Sequence, residues 1–400
     1  MYGAGNIGRG FIGQLFSLGG YKVGFIDINK EVISRLNSDQ EYCVEVVSSS
    51  GSEEITVQNV YGIDGSDIDL VAEEIASADI MATAIGVNVL KFIAKPIALG
   101  LKKRFEQGSG AFNIIICENL IGADEFLKGL IKEQIPEYAD RIDKEIGFVE
   151  ASIGRMVPVM TEEKRKGSPL RVCVEPYNIL PIDKNAFKGE LELPEQVYLF
   201  APFNLFIQRK LFMHNMSHAM CAYLGYLRDY TYIYESVADY DIKYVVYKAL
   251  VQSAVAVSKE NGTEITGLLS HAENLLYRFT NKALADTVER VGKDTKRKLS
   301  SNDRLIGAIK LAEKNGVPCA NLCLGVAAGM LFNPSADQSS IEVYTYAKEN
   351  GVEKTLAEYS DYTGKYVGLI ADLYDMLKSG KQFTAVIKYC DEYEGSKIRV

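Results

Sequence analysis

A glycine pattern at the start of the chain constrains its fold more than any other feature. Gly3-x-Gly5-x-x-Gly8 has the spacing of the turn that joins the first strand and helix of a dinucleotide-binding βαβ unit. In such a turn, the glycines allow a tight bend and let the backbone approach a pyrophosphate at a helix N-terminus. The run from Tyr21 to Asp27 is typical of the next strand, and its closing acid falls nineteen residues after Gly8. Together these features predict a Rossmann-type parallel sheet.

The acid that closes this strand predicts the cofactor. A carboxylate at Asp27 can accept hydrogen bonds from both hydroxyls of an adenosine ribose and repels a 2′-phosphate, so the sequence favours NAD over NADP. The loop at residues 83–86 lies where folds of this kind contact the nicotinamide ribose. The predicted cofactor-binding residues are Gly3, Ala4, Gly5, Asn6, Ile7, Gly8, Arg9, Gly10, Asp27, Thr83 and Gly86. The alternative interpretation is a glycine-rich turn with an unrelated surface acid.

The first strand of this predicted sheet is nearly missing from the sequence. Only Met1 and Tyr2 precede the glycines. We expect either that the chain as given begins inside the strand, or that the central strand is a stub. Lost ladder partners in the middle of a sheet predict low stability or an incomplete N-terminus.

The remaining first half alternates strand and helix patterns. Two β-branched runs around the turn at residues 48–52 predict a hairpin inserted into the sheet domain, over 41–48 and 54–60. A helix is predicted over 67–76 with Ser66 as its N-cap, and another over 89–106. Further strands are predicted over 78–85, 112–117, 146–151 and 170–175. The charged segment 161–168 is interpreted as a mobile surface loop rather than a binding patch.

A change of pattern divides the chain into two predicted domains. Turn-forming and charged residues interrupt the apolar pattern near 183–194. Beyond residue 195, helical periodicity recurs over 197–227, 242–261, 263–280, 303–315, 319–331, 340–349 and 366–379. The sequence therefore predicts an α/β fold, with an NAD-binding Rossmann-type domain at 1–190 and a mainly α-helical substrate domain at 191–400.

Charge and cysteine content exclude several classes of partner. A formal net charge of −9 argues against nucleic acid or an anionic membrane as the main partner. No apolar run approaches the ~20 residues that span a bilayer. Seven scattered cysteines are typical of thiols in a reducing cytosol, which predicts a cytoplasmic protein. With three histidines and no complete zinc set, no metal site is predicted. A monomer or small homo-oligomer is expected.

A polar group of residues in the second half carries the candidate chemistry. Lys210, Asn215 and His218 place an amine, a carboxamide and an imidazole within nine residues of a mostly apolar run. On an α-helix at about 100° per residue, His218 lies roughly 80° and Asn215 roughly 140° from Lys210, so all three can face one cleft. Oxidation of a polyol needs a base, a donor to the alkoxide and an orienting group. The alternative is a helix with one snorkelling Lys and two polar residues at the edge of the core.

The spacing Lys210-x4-Asn215-x2-His218 resembles the signature of the polyol-specific long-chain dehydrogenase/reductase, or mannitol dehydrogenase, family. The glycine-rich start resembles that family too. Five further segments resemble it in the same order, namely 117–119, 147–149, 155–158, 288–292 and 297–300. The resemblance implies an NAD-dependent oxidoreductase whose small-molecule substrates are a sugar-alcohol phosphate, D-mannitol 1-phosphate, and a ketose phosphate, D-fructose 6-phosphate. Mannitol, fructuronate or tagaturonate are alternative substrates, and a non-catalytic NAD-binding sensor is a remote alternative.

The same resemblance implies a role for each polar residue. Lys210 is the implied general base, although a free Lys titrates near ~10.4 and must lose its proton near neutrality for this role. Asn119 and Asn215 would donate hydrogen bonds to the oxygen at the reacting carbon, where charge builds as hydride leaves. His218 would hold a neighbouring hydroxyl, and no metal is required.

Two positions depart from the family pattern. His214 stands where the family usually has an aliphatic residue, and Gly154 where an acid usually precedes the arginine. His214 falls roughly 40° from Lys210 on a helix, so geometry does not exclude it from the site. The basic residues in family-like segments are candidates for holding a substrate phosphate, although each singly is better explained by a structural ion pair: Arg155, Arg278, Arg290, Lys298 and Arg304.

Overall fold

The chain folds into two compact units, Met1–Phe206 and Ile207–Val400, in a computed structural model that describes residues 1–120 and 122–395. The first unit is α/β with a parallel sheet, and the second is mostly helical. The predicted fold class is therefore confirmed. The first unit ends at Phe206, which is further along the chain than the boundary predicted near residues 183–194.

Parallel strands form the centre of the first unit. The strands of the whole chain are β1 Val23–Asp27, β2 Glu41–Ser48, β3 Gly51–Gln58, β4 Val60–Asp64, β5 Met81–Thr83, β6 Phe112–Ile116, β7 Ile146–Glu150, β8 Val172–Val174, β9 Leu180–Asp183 and β10 Val197–Phe200. β1 pairs with β4, and β5, β6 and β7 pair in that order, all in parallel. All five residues of β6 are buried, as expected for a strand covered on both faces.

Met1 and Tyr2 occupy the position of the central strand. Tyr2 forms parallel bridges with Ile26 of β1 and Thr83 of β5, which joins the two groups of strands into one sheet. The Met1 amine donates a hydrogen bond to the carbonyl of Gly24 at 2.7 Å, and burial lowers the pKa of this amine to about 5. A cavity of about 220 Å³ lies beside Met1 and is lined by residues of both neighbouring strands.

The predicted hairpin is present and belongs to a separate sheet. β2 and β3 pair antiparallel from Glu41↔Gln58 to Ser48↔Gly51, and β8 pairs parallel with β2. Glu45 of β2 receives a hydrogen bond from Arg171 at 2.7 Å. Arg171 also pairs with Glu54 of β3, so a buried arginine joins both strands of the hairpin to the β8 segment.

Three details of the predicted secondary structure are wrong. Asp67, not Ser66, caps helix Ile68–Ser77, because the Asp67 carboxylate accepts the Leu70 amide at 3.0 Å while Ser66 bonds to Asp64. Segment 161–168 is not only loop, since Thr161 caps a helical turn at Glu162–Arg165.

The third error concerns the start of the predicted helix over 197–227. Val197–Phe200 is strand β10, because it pairs in parallel with β9. Helical structure begins at Asn204–Gln208 and passes through a π-helix at Arg209–Asn215 into helix Met216–Tyr226. The pairing of β10 with β9 is also why the first unit extends to Phe206.

Helices cover the sheet and build the second unit. In the first unit they are π-helix Gly8–Gly13, then Gln14–Leu18, Lys30–Asp39, Ile68–Ser77, Leu90–Glu106, Ala123–Gln134 and Ala139–Glu145. The second unit contains Ile233–Ala238, Tyr240–Asn261, Ile265–Phe279, Val288–Gly292, Thr295–Lys298, Ile306–Lys314, Ala320–Gly329, Gln338–Asn350, Val352–Ser360, Val367–Lys378 and Phe383–Gly395. Helix Ala320–Gly329 is buried along its whole length, as an apolar helix at the centre of a bundle must be. Within the described residues, no helix is both long and apolar enough to cross a membrane.

Candidate active site

The glycine turn has the geometry of a dinucleotide-binding turn. The helix after it begins at Asn6, and residues 8–13 are π-helical. A methyl group on Gly8 would collide with the Gly3 carbonyl oxygen, so the close approach within the turn requires glycine there. Gly5 is exposed, and a methyl group on it would meet no atom within 4 Å. The open space over Gly5 therefore fits a pyrophosphate at the helix N-terminus.

Two buried arginine side chains support this turn through hydrogen bonds to its backbone carbonyls. Arg9 donates to the Ala4 carbonyl at 2.7 Å and to the Pro169 carbonyl at 2.9 Å. Arg155 donates to the Gly10 carbonyl at 3.0 Å and to the Gln14 side chain at 2.6 Å. Burial lowers the pKa of each arginine to about 10. Both side chains are used in positioning the turn, and the contacts of Arg155 are hydrogen bonds to carbonyl groups and Gln14.

Asp27 lies at the carboxyl end of β1 beside the turn. Its Oδ2 accepts the Ala4 amide at 2.8 Å, and its Oδ1 accepts the Asn29 amide at 2.9 Å. Each oxygen keeps a second lone pair, and the side chain is half-buried rather than enclosed. The carboxylate is thus fixed with acceptor capacity left for ribose hydroxyls. These residues fit the adenosine end of a bound NAD.

Glu118 lies just beyond the end of β6 and fixes the loop that follows β5. Its two carboxylate oxygens accept the Ile85 amide at 2.9 Å and the Gly86 amide at 2.8 Å. Gly86 has φ of +89°, a conformation that favours glycine. Thr83 is fully buried and its carbonyl accepts the Cys117 amide at 3.0 Å, whereas Gly86 is exposed. Sequence reasoning missed Glu118 because its partners lie more than thirty residues away.

Asn119 is exposed just beyond the carboxyl end of β6, the edge where open α/β sheets bind ligands. Glu150 ends β7 opposite Ile116 of β6, so it lies at the same edge. Burial, followed by the charge of Asp124, raises the pKa of Glu150 to about 7. This carboxyl can hold or release a proton near neutrality, a property that its surroundings in the fold determine and the sequence did not indicate.

The candidate base lies on a π-helical turn of the second unit. Residues Arg209–Asn215 form this turn, and Lys210, Asn215 and His218 are all half-buried. In a π-helix the backbone bonds run from i to i+5, so residues five apart approach the same face. Lys210 and Asn215 are five apart, and the wider turn brings them closer than the 140° of an α-helix. Short π-helical segments are frequent at functional sites.

Two histidines near this turn are kept neutral. Burial lowers the pKa of His214 well below its usual range, and the charges of Arg278, His218, His271 and Lys210 act in the same direction. Burial, Arg209 and Arg278 lower the pKa of His271 to about 3. The turn therefore lies in positive potential, and His214 is a buried neutral residue rather than a cation.

His218 is held by two contacts. Its ring stacks on Phe279, with centroids 4.9 Å apart and 13° between the planes. Its Nε2 lies 3.2 Å from Oδ2 of Asp286. Phe279 and Asp286 follow His218 by more than sixty residues in sequence, so no local spacing could have identified them.

The other basic candidates have partners inside the second unit. Arg290 pairs with Asp286, and Arg304 donates to Asp303 at 2.7 Å. Lys298 donates to the Val291 carbonyl at 2.6 Å and to that of Lys293. Burial, then Arg304 and Arg297, lower the pKa of Lys298 to about 7. In the described parts of the chain, no three His, Cys, Asp or Glu side chains are grouped to hold a metal ion.

A parallel-sheet unit with a glycine turn and an acid at the end of the following strand, together with a helical unit that carries a Lys-Asn-His segment, is typical of a nicotinamide-dependent dehydrogenase of the long-chain type. Comparison with known protein families identifies which one. Residues 1–195 match the mannitol dehydrogenase Rossmann domain, and residues 203–388 match the mannitol dehydrogenase C-terminal domain. The chain belongs to the mannitol dehydrogenase family.

Curated relatives agree over nearly the whole chain. Mannitol-1-phosphate 5-dehydrogenase of Clostridium acetobutylicum is 35% identical over 380 residues, covering 94% of this chain and 98% of the relative. The enzymes of the same name from Caldanaerobacter subterraneus subsp. tengcongensis and Brevibacillus brevis are 35% and 36% identical, each covering 89% of this chain and 91% of the relative.

Solved structures share the fold. A substrate-free D-sorbitol dehydrogenase has a TM-score of 0.79 at 16% identity, over 96% of this chain and 94% of that one. Pseudomonas fluorescens mannitol 2-dehydrogenase, in a ternary complex with NAD and D-mannitol, has a TM-score of 0.77 at 16% identity, over 98% and 93% of the two chains.

Proposed function

We propose that this chain is an NAD-dependent dehydrogenase that interconverts D-mannitol 1-phosphate and D-fructose 6-phosphate. The observation that carries the proposal is the 35–36% identity to curated mannitol-1-phosphate 5-dehydrogenases across 89–94% of the chain. The hydride moves between C5 of mannitol 1-phosphate, which is C2 of the ketose, and the cofactor. The absence of disulfides among the seven cysteines favours a cytoplasmic location.

The residues of the first unit bind the cofactor in this proposal. NAD, when bound, supplies the hydride acceptor for polyol oxidation. The exposed backbone around Gly5 receives the pyrophosphate, and Asp27 accepts from the adenosine ribose. Arg9 and Thr83 are buried, so in this proposal they support the glycine turn and the Gly86 loop from within the fold. Glu118 holds the Gly86 loop in place for the nicotinamide ribose.

The polar residues bind and ionise the substrate. Lys210 takes the proton from the hydroxyl at the reacting carbon during oxidation, and returns it during ketose reduction. Asn119 and Asn215 donate hydrogen bonds to that oxygen, and His218 accepts or donates to a neighbouring hydroxyl. Positive charge from Arg209 and Arg278, evident in its effect on the His271 pKa, favours proton release by a nearby lysine.

A substrate panel tests the assignment of the reaction. Oxidation of NADH is followed by its near-ultraviolet absorbance with fructose 6-phosphate, fructose, fructuronate and tagaturonate, and then with NADPH in place of NADH. We expect kcat/KM to be highest with fructose 6-phosphate and NADH. If fructose 6-phosphate is no better than fructose, the phosphate assignment fails. If no ketose is reduced, the chain is a sensor rather than an enzyme.

Replacing the proposed base tests the mechanism. Lys210→Met should lower kcat by at least about 100-fold, because a positioned base commonly contributes that much. Binding of NADH, measured by its fluorescence, should persist. Lys248→Met is the matched control, since Lys248 is a partly buried lysine of the same unit that pairs with Asp391 at 2.7 Å. Retained turnover in Lys210→Met would exclude Lys210 as the base.

A further inference from the structure

Glu150 lies at the edge of the first sheet where β7 ends. It is in parallel register with Ile116 of β6. The residue after it, Ala151, forms an antiparallel bridge with Ile182, and this bridge places Asp183 of β9 beside Glu150. The Ala151 amide also donates to the Ile116 carbonyl at 3.2 Å. The backbone of Glu150 is therefore held between two strands, at the carboxyl edge where parallel sheets bind ligands.

The side chain of Glu150 reaches the loop that follows β6. Its carboxylate accepts a hydrogen bond from the amide of Gly122. Gly122 is the N-cap of helix Ala123–Gln134, and as a glycine it has no side chain with which to cap that helix. A helix N-terminus leaves amide groups without partners inside the helix, and the helix dipole favours a carboxylate there. Glu150 thus fixes the end of the loop at which the helix begins.

Asn119 lies in the same loop, between two contacts of this kind. One residue before it, Glu118 accepts two amides of the loop that follows β5. Three residues after it, Gly122 donates to Glu150. Asn119 itself is exposed at the carboxyl edge of the sheet. The position of Asn119 therefore depends on a carboxylate–amide contact on each side of it.

The charge on Glu150 depends on the groups that face it. Asp124 faces it from the first turn of the helix that Gly122 caps, and Asp183 faces it from β9. β6 presents the apolar Ile116, and the helix that precedes β7 lies at the opposite end of that strand. Burial and then Asp124 raise the pKa of Glu150, the Gly122 amide lowers it and Asp183 raises it, to about 7. A carboxylate is a stronger acceptor than a protonated carboxyl, so the contact with Gly122 is strongest above that pH.

We propose that Glu150 is a positioning residue for the dehydrogenase reaction: its carboxylate holds the loop after β6 through the Gly122 amide and thereby places Asn119 for its contact with the reacting oxygen. This inference rests on the proposed function for the role of Asn119, whereas the restraint on the loop does not. Deprotonation of Glu150 tightens the restraint, so the position of the loop responds to pH.

Amide hydrogen exchange tests the restraint without any turnover. Exchange is followed by mass spectrometry in peptides that cover the loop after β6, in the unliganded protein at pH 8. In Glu150→Leu, which has no acceptor, exchange of this loop should be about 10-fold faster or more, because a hydrogen bond to a charged group contributes that much. Unchanged exchange in Glu150→Leu would overturn the proposal.

The pH dependence of exchange assigns the effect to this carboxylate. In the parent protein, protection of the loop, corrected for the intrinsic pH dependence of amide exchange, should fall between pH 8 and pH 6 because Glu150 takes up a proton. Glu150→Gln keeps an oxygen that accepts the Gly122 amide and has no proton to gain, so its protection should be equal at both pH values. An equal fall in the parent protein and in Glu150→Gln would refute the proposal, and this comparison stands even if Glu150→Leu does not fold.

Kinetics with the best ketose of the panel test the consequence for the reaction. Glu150→Leu should lower kcat by about 10- to 100-fold, since a small displacement of a group that contacts the reacting atoms costs that much. The KM for the ketose should change less than kcat, because the Asn119 contact is strongest in the transition state. In an Asn119→Ala background the same change should cost less than about 2-fold. Equal losses in both backgrounds would contradict a role that passes through Asn119.

Glu74 provides the matched control for general destabilisation. It is a half-buried glutamate of the same unit, and its Oε2 accepts the Tyr61 hydroxyl at 2.7 Å. Glu74→Leu should leave kcat and exchange of the loop after β6 unchanged, and effects as large as those of Glu150→Leu would count against the proposal. A protein that reduces no ketose would refute the proposed function while leaving the exchange result on Glu150 intact, so the two failures are distinguishable.

Discussion

Gly5 and Gly8 lie three residues apart in one turn and have different surroundings. A methyl group on Gly8 would collide with the Gly3 carbonyl, whereas one on Gly5 would enter open space. We expect Gly8→Ala to destabilise the fold by about 2 kcal/mol, as overpacking of a close contact does, and to abolish NADH binding. We expect Gly5→Ala to leave the midpoint of thermal unfolding unchanged and to weaken the binding of NADH.

Thermal unfolding and NADH titration of the two variants check this pair. The comparison separates the structural need for glycine from the need for space beside the ligand. A Gly5→Ala protein with unchanged NADH affinity would mean that the pyrophosphate does not lie over Gly5. A stable Gly8→Ala protein would mean that the turn has another conformation.

Individual residues were predictable from sequence where the physical reason for them is local. The spacing of the glycines and of Asp27 follows from the geometry of one turn and one strand, and the structure places Asp27 beside the turn. Glu118 and Asp286 contact groups more than thirty residues away, so these contacts depend on the fold that brings the residues together. The π-helical turn at Arg209–Asn215 also has no composition that distinguishes it from an α-helix.

At the scale of elements, an ion pair joins the β2–β3 hairpin to the segment that leads into strand β8. Glu45 and Arg171 are 12% and 8% exposed, and their side chains meet at 2.7 Å. Burial alone would raise the pKa of Glu45, but hydrogen bonds from Arg171, Ser52 and Lys166 outweigh it and lower this pKa to about 2. Removing Arg171 leaves the carboxylate without its main partner. We expect Arg171→Met to lower the unfolding free energy by about 3 kcal/mol at pH 7.

The pH dependence of this loss has a definite sign. Because the folded-state pKa of Glu45 lies below the 4.5 of an ordinary glutamate, the stabilisation is complete above pH 4.5 and disappears as the pH falls toward 2. Urea unfolding at pH 7 and pH 3 should show a smaller difference between Arg171→Met and the parent protein at pH 3. Arg35→Met is the control, since the exposed Arg35–Asp39 pair should contribute less than about 1 kcal/mol. A loss independent of pH would contradict the assignment.

The local sequence pattern predicted which segments are helices and which are strands. Where those segments begin and end depended on tertiary contacts. The hairpin, the buried strand at Phe112–Ile116 and helix Tyr240–Asn261 were all evident from periodicity. β10 was not, because its four residues become a strand only through pairing with β9. The N-cap of helix Ile68–Ser77 shifted by one residue because Asp64 engages Ser66 and leaves Asp67 to cap.

At the scale of the whole molecule, two units contribute different parts of the proposed chemistry. The first holds the glycine turn and Asp27, and the second holds Lys210 and His218. Both key turns are π-helical and both are supported by buried polar side chains, Arg155 in one and Ser217 in the other, whose hydroxyl donates to the Met213 carbonyl at 2.7 Å. Widened turns of this kind are less stable than α-helix, so each unit gives up some stability in a segment that is proposed to contribute to ligand binding.

The stability of the whole molecule should depend on pH through Lys298. An ordinary lysine has a pKa of 10.5, whereas the pKa of Lys298 in the folded protein is about 7, because burial and the charges of Arg304 and Arg297 disfavour the ammonium. Between these two values the unfolded chain binds a proton that the folded chain does not, so stability rises with pH in that window. The slope should approach, and not exceed, about 1.4 kcal/mol per pH unit.

Urea unfolding followed by far-UV circular dichroism at pH 7, 8 and 9 measures this slope. Lys298→Met removes the titrating group, so its stability should rise less steeply than that of the parent protein. Lys296→Met is the control, because Lys296 is half exposed and pairs with Glu342 on the surface, and it should keep the parent slope. Equal slopes for the parent and Lys298→Met would mean that Lys298 remains charged in the folded protein. Its hydrogen bonds to the Val291 and Lys293 carbonyls would then be those of an ammonium ion.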